Sequence, residues 1–114
     1  MQCQCHLLSE SVSGRIVLYG HPAPDDAHNI ALQFNNITQW LCYDDFLALE
    51  WNVRSIDMNV YFEVHPHEDR VHLSTPSRYL SFSFKPHELT ELKRMLSKAV
   101  ARLHWFETLR NAQN

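Results

Sequence analysis

At 114 residues, 45% of them apolar and 20% charged, the chain has room for one domain with a buried core and lacks the composition of a disordered segment. A formal charge of −3, from 10 basic and 13 acidic residues, speaks against a general nucleic-acid binder, whose affinity rests on neutralising phosphates. Two glycines cannot build the known phosphate-cradling loops, and no apolar run approaches the roughly 18 residues that mark a membrane span.

The chain opens Met1-Gln2-Cys3-Gln4-Cys5, without the basic and then apolar order of an export signal, so a cytoplasmic protein is expected. Cys3, Cys5 and Cys42 are too few for a disulfide framework, and reduced thiols fit that compartment. Residues 1–13 read as a loosely held N-terminal segment. The first strand expected runs from Arg15 to Tyr19, opened by Gly14. His21 to Ala27 holds two prolines and two aspartates and reads as a loop. Ile30, Leu32 and Phe34 then alternate, Asn35-Asn36 supplies a turn, and Ile37, Gln39 and Leu41 resume the period of two.

Beyond Leu41 the period changes. Phe46, Leu49, Val53, Ile56 and Val60 form one stripe of a helix, with Asp44 and Asp45 as helix-start carboxylates rather than an acid/base pair. His65 to Asp69 reads as a polar loop. Val71 and Leu73 give a short strand, Thr75-Pro76-Ser77 breaks it, and Leu80, Phe82 and Phe84 give another. A second helix is expected from Pro86 to Arg110, striped by Leu89, Leu92, Leu96, Ala99, Leu103 and Phe106, with 111–114 as a frayed tail. Neither Cys42 nor Lys85 is a favoured helix cap. A shift of about 43 residues superposes the two strand–strand–helix patterns, too few copies for a solenoid. The expectation is a single α+β domain over 1–114, ordered β-β-β-α-β-β-α. It consists of two ββα units plus one strand in a five-stranded, mainly antiparallel sheet, with both helices on one face.

Several segments resemble a family of small uncharacterised bacterial proteins, grouped as a domain of unknown function. They are Cys3-Gln4-Cys5-His6-Leu7-Leu8-Ser9, Gly14-Arg15-Ile16-Val17, Asn29-Ile30-Ala31-Leu32-x-Phe34, Asp44-Asp45-Phe46-Leu47-Ala48-Leu49 and Leu73-Ser74-Thr75-Pro76-Ser77-Arg78 through Leu92. The resemblance implies a small non-secreted protein without an assigned activity. It also implies a second cysteine pair before the Ile30 strand, completing a four-thiolate site. This chain has no cysteine there.

Four groups of residues invite chemistry. Cys3, Cys5 and His6, with His21 and His28, combine thiols and imidazoles, which zinc prefers, although Cys-x-Cys is tighter than the usual ligand spacing. The His65-Pro66-His67-Glu68-Asp69 loop, with His72, reads as a solvated loop rather than a second metal site. Cys42, near a helix start, qualifies as a nucleophile if a histidine stands beside it; otherwise it is a small core residue. No sequence motif of a hydrolase or metalloprotease occurs. Finally, the sheet face without helices is expected to carry Tyr19, Trp40 and Tyr79, and the last helix ends in Trp105 and Phe106, both sets suited to an interface. The leading expectation is a protein that acts by binding another protein, a second copy of itself first, with no nucleic-acid or membrane partner. A zinc protein is the alternative and an enzyme the third reading.

Overall fold

A computed structural model describes residues 5–20, 28–74, 79 and 81–112, with side chains described up to 109. Cys3, His21, the His21–Ala27 loop, the break at Thr75-Pro76-Ser77 and Leu80 lie outside the described residues. The elements run β1 (Cys5–Glu10), β2 (Gly14–Tyr19), β3 (Ile30–Phe34), β4 (Ile37–Leu41), α1 (Tyr43–Arg54), α2 (Met58–Val64), β5 (Val71–Ser74), β6 (Ser81–Phe84) and α3 (Pro86–Ala112).

The architecture is α+β and antiparallel, as expected, but the single five-stranded sheet is not what forms. Strands β1 to β4 make a four-stranded meander, and β5 and β6 make a separate two-stranded sheet. The extra strand is β1, inside the segment read as loosely held. Its pairing with β2 slips between Leu7 and Ser9, a bulge that inverts the alternation of faces and removes the period-two signal from the sequence. Gly14 opens β2 where the next strand comes close: a Cβ there would fall 2.0 Å from the Gln33 carbonyl oxygen. Asn35 turns the β3–β4 hairpin with a positive φ of 55°, which asparagine tolerates.

The first helix is shorter than its stripe implied. It ends at Arg54, where the Ser55 N–H and hydroxyl both donate to the Trp51 carbonyl, and the chain restarts as α2 behind an Asp57 cap. Its buried residues are Tyr43, Phe46, Glu50 and Val53, so Leu49 is only half-buried and Val60 is exposed. Glu50 is tolerated inside because Arg54 Nε stands 3.2 Å from its carboxylate.

One core joins these pieces. Ile16, Leu18, Ile30, Leu32 and Leu41 from the large sheet meet Phe46 and Val53 of α1, Val71, Leu73, Phe82 and Phe84 of the hairpin, and the inner face of α3. That face is Leu89, Leu92, Met95, Leu96, Ala99 and Leu103, each at most 2% exposed. Helix α3 packs on β1, β2, α1 and β6 and so holds both sheets. Among the described residues no helix is long and apolar enough to cross a membrane.

Candidate functional site

The β3–β4 hairpin sets the first group of functional side chains. Ile30 pairs with Leu41, so the chain entering β3 lies beside the chain leaving β4. Residue 28 thereby comes next to the start of α1. Cys42 caps that helix in an extended conformation, and its Sγ accepts the Asp45 N–H at 3.4 Å, the role a serine or aspartate oxygen usually takes. His28, Cys42 and Asp45 each place one donor atom within 4.8 Å of the other two. His28 and Asp45 face solvent, whereas Cys42 is 9% exposed.

Of the metal candidates read from the sequence, the structure brings His28 into this group. Cys5 is exposed on the outer face of β1. His6, its neighbour, points to the opposite face, where its ring lies 4.8 Å from that of Phe106. Cys5 and His6 thus sit on opposite faces of β1. Asp45 was read only as a helix-start charge, and Cys42 lacked its histidine until the hairpin register supplied one. The clue available in the sequence was the two-residue turn at Asn35-Asn36, which fixes that register.

The outer face of the large sheet carries the second group. Leu7, Val17, Ala31 and Trp40 lie opposite one another in a single row across all four strands. Ala31 has no bulk and is buried, and the rings of Tyr19 and Trp40 meet at 5.3 Å and 42°. Leu7 is 47% and Trp40 50% exposed, so this row ends in apolar surface at both edges of the sheet. Tyr79 does not join it, because it stands in the turn between β5 and β6, in the other sheet.

At the far end of α3, Phe106 is half-buried, between the His6 ring and the Arg102 guanidinium at 5.6 Å. Trp105 and Leu109 stay exposed. Phe106 therefore belongs to the domain's own packing and Trp105 to its surface. Burial, then a hydrogen bond to Glu107, raises the Tyr43 phenol to about 12, which ties the start of α1 to the end of α3. The histidine loop is exposed; within it Glu68 contacts His72 Nε2 at 3.1 Å, and Ser83 Oγ lies 2.6 Å from His72 Nδ1. Between β4 and the β5–β6 hairpin lies a cleft of about 240 Å³ floored by Phe34, Leu49, Phe82 and Leu92. Gln39 borders it with a buried Oε1 that has no protein partner among the described residues.

A family model described as a family of unknown function (DUF6686) matches residues 1–111. No curated protein and no solved structure matches the chain.

Proposed function

The chain belongs to the family of unknown function DUF6686, and from its own surfaces we propose that it acts by binding, with a second copy of itself as partner, through the outer face of the large sheet. The observation that carries this reading is the exposed apolar pair Leu7 and Trp40 at the two ends of a row whose middle, Val17 and Ala31, is buried, with the Tyr19 ring tilted against Trp40. Aromatic side chains concentrate at the cores of interfaces, where their burial is worth most. The next row is polar, running Glu10–Arg15–Gln33–Thr38, with Arg15 Nε donating to Gln33 Oε1 at 2.8 Å. A rim that offers both an acid and a base beside an apolar row is self-complementary under a two-fold axis, which favours a copy over an unlike chain. A reducing cytoplasm suits a protein whose Cys42 thiol serves as a helix cap.

Sedimentation velocity of the full chain across the micromolar range tests the proposal. The wild type should sediment as a dimer, and a Leu7→Glu, Trp40→Glu double variant should sediment as a monomer with an unchanged circular dichroism spectrum. A monomeric wild type, or a dimer that survives the double change, overturns it.

A further inference from the structure

We propose that His28, Cys42 and Asp45 form a zinc-class metal site, with a ligand set different from the N-terminal thiols that the sequence draws attention to. Two segments separated by the β3–β4 hairpin converge here: the entry to β3, and the cap with the first turn of α1. Zinc takes thiolate, imidazole and carboxylate at bond lengths of about 2.0–2.3 Å, which hold tetrahedral ligand atoms about 3.3–3.8 Å apart. The three donors lie within 4.8 Å of one another, so side-chain adjustments of about 1 Å close the site around an ion. His28 and Asp45 are exposed and free to make that adjustment, while the Asp45 N–H already donates to the Cys42 sulfur at 3.4 Å and holds it at the start of α1.

The shape of the group separates this reading from a nucleophilic relay. A relay places the imidazole between thiol and carboxylate, so that the ring's width holds the outer two apart. In the present group the thiol and the carboxylate are near each other as well as near the imidazole. A bound cation would hold a thiolate and a carboxylate at that separation, where each would otherwise repel the other. The soft thiolate with an imidazole selects zinc over magnesium or calcium, which take oxygen donors. Three protein ligands leave a fourth position for water, the coordination that catalytic zinc sites use.

The test is a cobalt titration of the full chain after treatment with chelator. The wild type should take up one equivalent, with a thiolate-to-cobalt absorption band and visible bands of tetrahedral intensity, and zinc should displace the cobalt. The Cys42→Ser variant should lose the thiolate band. His28→Ala, at an exposed position that leaves the core intact, keeps the experiment decisive if Cys42→Ser does not fold. Outer-shell partners alone are worth about 10- to 100-fold in metal affinity, so loss of this ligand should weaken cobalt binding by at least as much. A Cys3→Ser, Cys5→Ser double variant should bind cobalt as the wild type does. The proposal is overturned by the absence of a thiolate band in the wild type, by a band that survives Cys42→Ser, or by undiminished binding in His28→Ala. It is overturned equally by loss of the band in the double serine variant.

Discussion

The hairpin β3–β4 with α1 and the hairpin β5–β6 with α3 carry similar patterns and end in different places. Each hairpin turns an alternating apolar set inward: Ile30, Leu32 and Phe34 in the first, Val71, Leu73, Phe82 and Phe84 in the second. The first is extended by β2 and β1 into a four-stranded sheet, whereas the second pairs with nothing beyond itself among the described residues. Their helices differ in the opposite sense. α1 has 12 residues, and α3 has 27 and packs on both sheets. A hairpin is a local decision made by its turn and alternation, but its membership of a sheet depends on which other strand edges reach it. Here the second hairpin is held through its buried face by helix packing, and the Phe34 and Phe84 rings meet edge to face at 5.6 Å across the junction.

If that division is right, the largest losses of stability come from the residues that join the two regions. Phe46→Ala should cost about 3–5 kcal/mol and Leu92→Ala about 2–5 kcal/mol, since both side chains are essentially without exposure. Leu49→Ala should cost only about 1 kcal/mol, because α1 turns Phe46, Glu50 and Val53 inward and leaves Leu49 half-buried, lining the cleft. Denaturant unfolding of the three variants checks this. Equal losses at Phe46 and Leu49 would mean that α1 presents the face its apolar spacing suggests, with Glu50 turned outward.

The same comparison shows how far the sequence could be read. Alternation and the Asn35-Asn36 turn located β3, β4, β5 and β6, the apolar run behind Gly14 located β2, and the 3–4 spacing located α3, because each signal is local and uninterrupted. Strand β1 was hidden by its bulge, which sends Leu7 outward and places Leu8 and the polar Ser9 inward, Ser9 Oγ donating to the Met95 carbonyl at 2.7 Å. The break between α1 and α2 was hidden because Ile56 and Val60 continue the apolar spacing past a helix that the chain itself ends at Ser55. The site was half legible. The residue types of His28 and Cys42 were visible, and only the folded hairpin puts them together with Asp45.

A second prediction sharpens the comparison at the β1–β2 and β3–β4 turns of the large sheet, where carboxylates of α3 reach across. Glu91 accepts Ser11 Oγ at 2.5 Å, Ser13 N–H at 2.8 Å and Ser13 Oγ at 3.1 Å, fixing the β1–β2 turn. Glu88 accepts the Lys85 N–H at 2.8 Å and the Asn35 amide at 3.1 Å, joining the helix start to the β3–β4 turn. The Ser11 hydroxyl at Glu91, and the Lys85 N–H at Glu88, lower these carboxyls below their usual value of 4.5. A depressed folded value means stability that is present above pH 4.5 and lost as pH falls through the folded value. Melting temperature should therefore drop below about pH 4.5 in the wild type, and more shallowly in Glu91→Gln. An acid limb of the same steepness in Glu91→Gln would show that this carboxylate does not staple α3 to the turn.

The smallest expected effect concerns Tyr43, which joins the two helices where both leave the sheet. Its phenol is buried, and its hydroxyl donates to Glu107, so ionisation would place a second negative charge beside a carboxylate in a poorly hydrated position. Burial is the larger cause of the rise to about 12, and the Glu107 bond and charge add to it. A folded value above the unfolded 10.0 makes the neutral phenol's contribution complete below pH 10 and lost as pH climbs towards 12. Tyr43→Phe removes the hydroxyl and leaves the ring, so at neutral pH it should cost about 1 kcal/mol, the worth of one hydrogen bond to a charged acceptor less its desolvation. The decisive measurement is the difference between the phenolate absorbance titrations of the wild type and Tyr43→Phe. The step that disappears should lie near 12. A missing step near 10 instead would mean that the end of α3 swings free of α1.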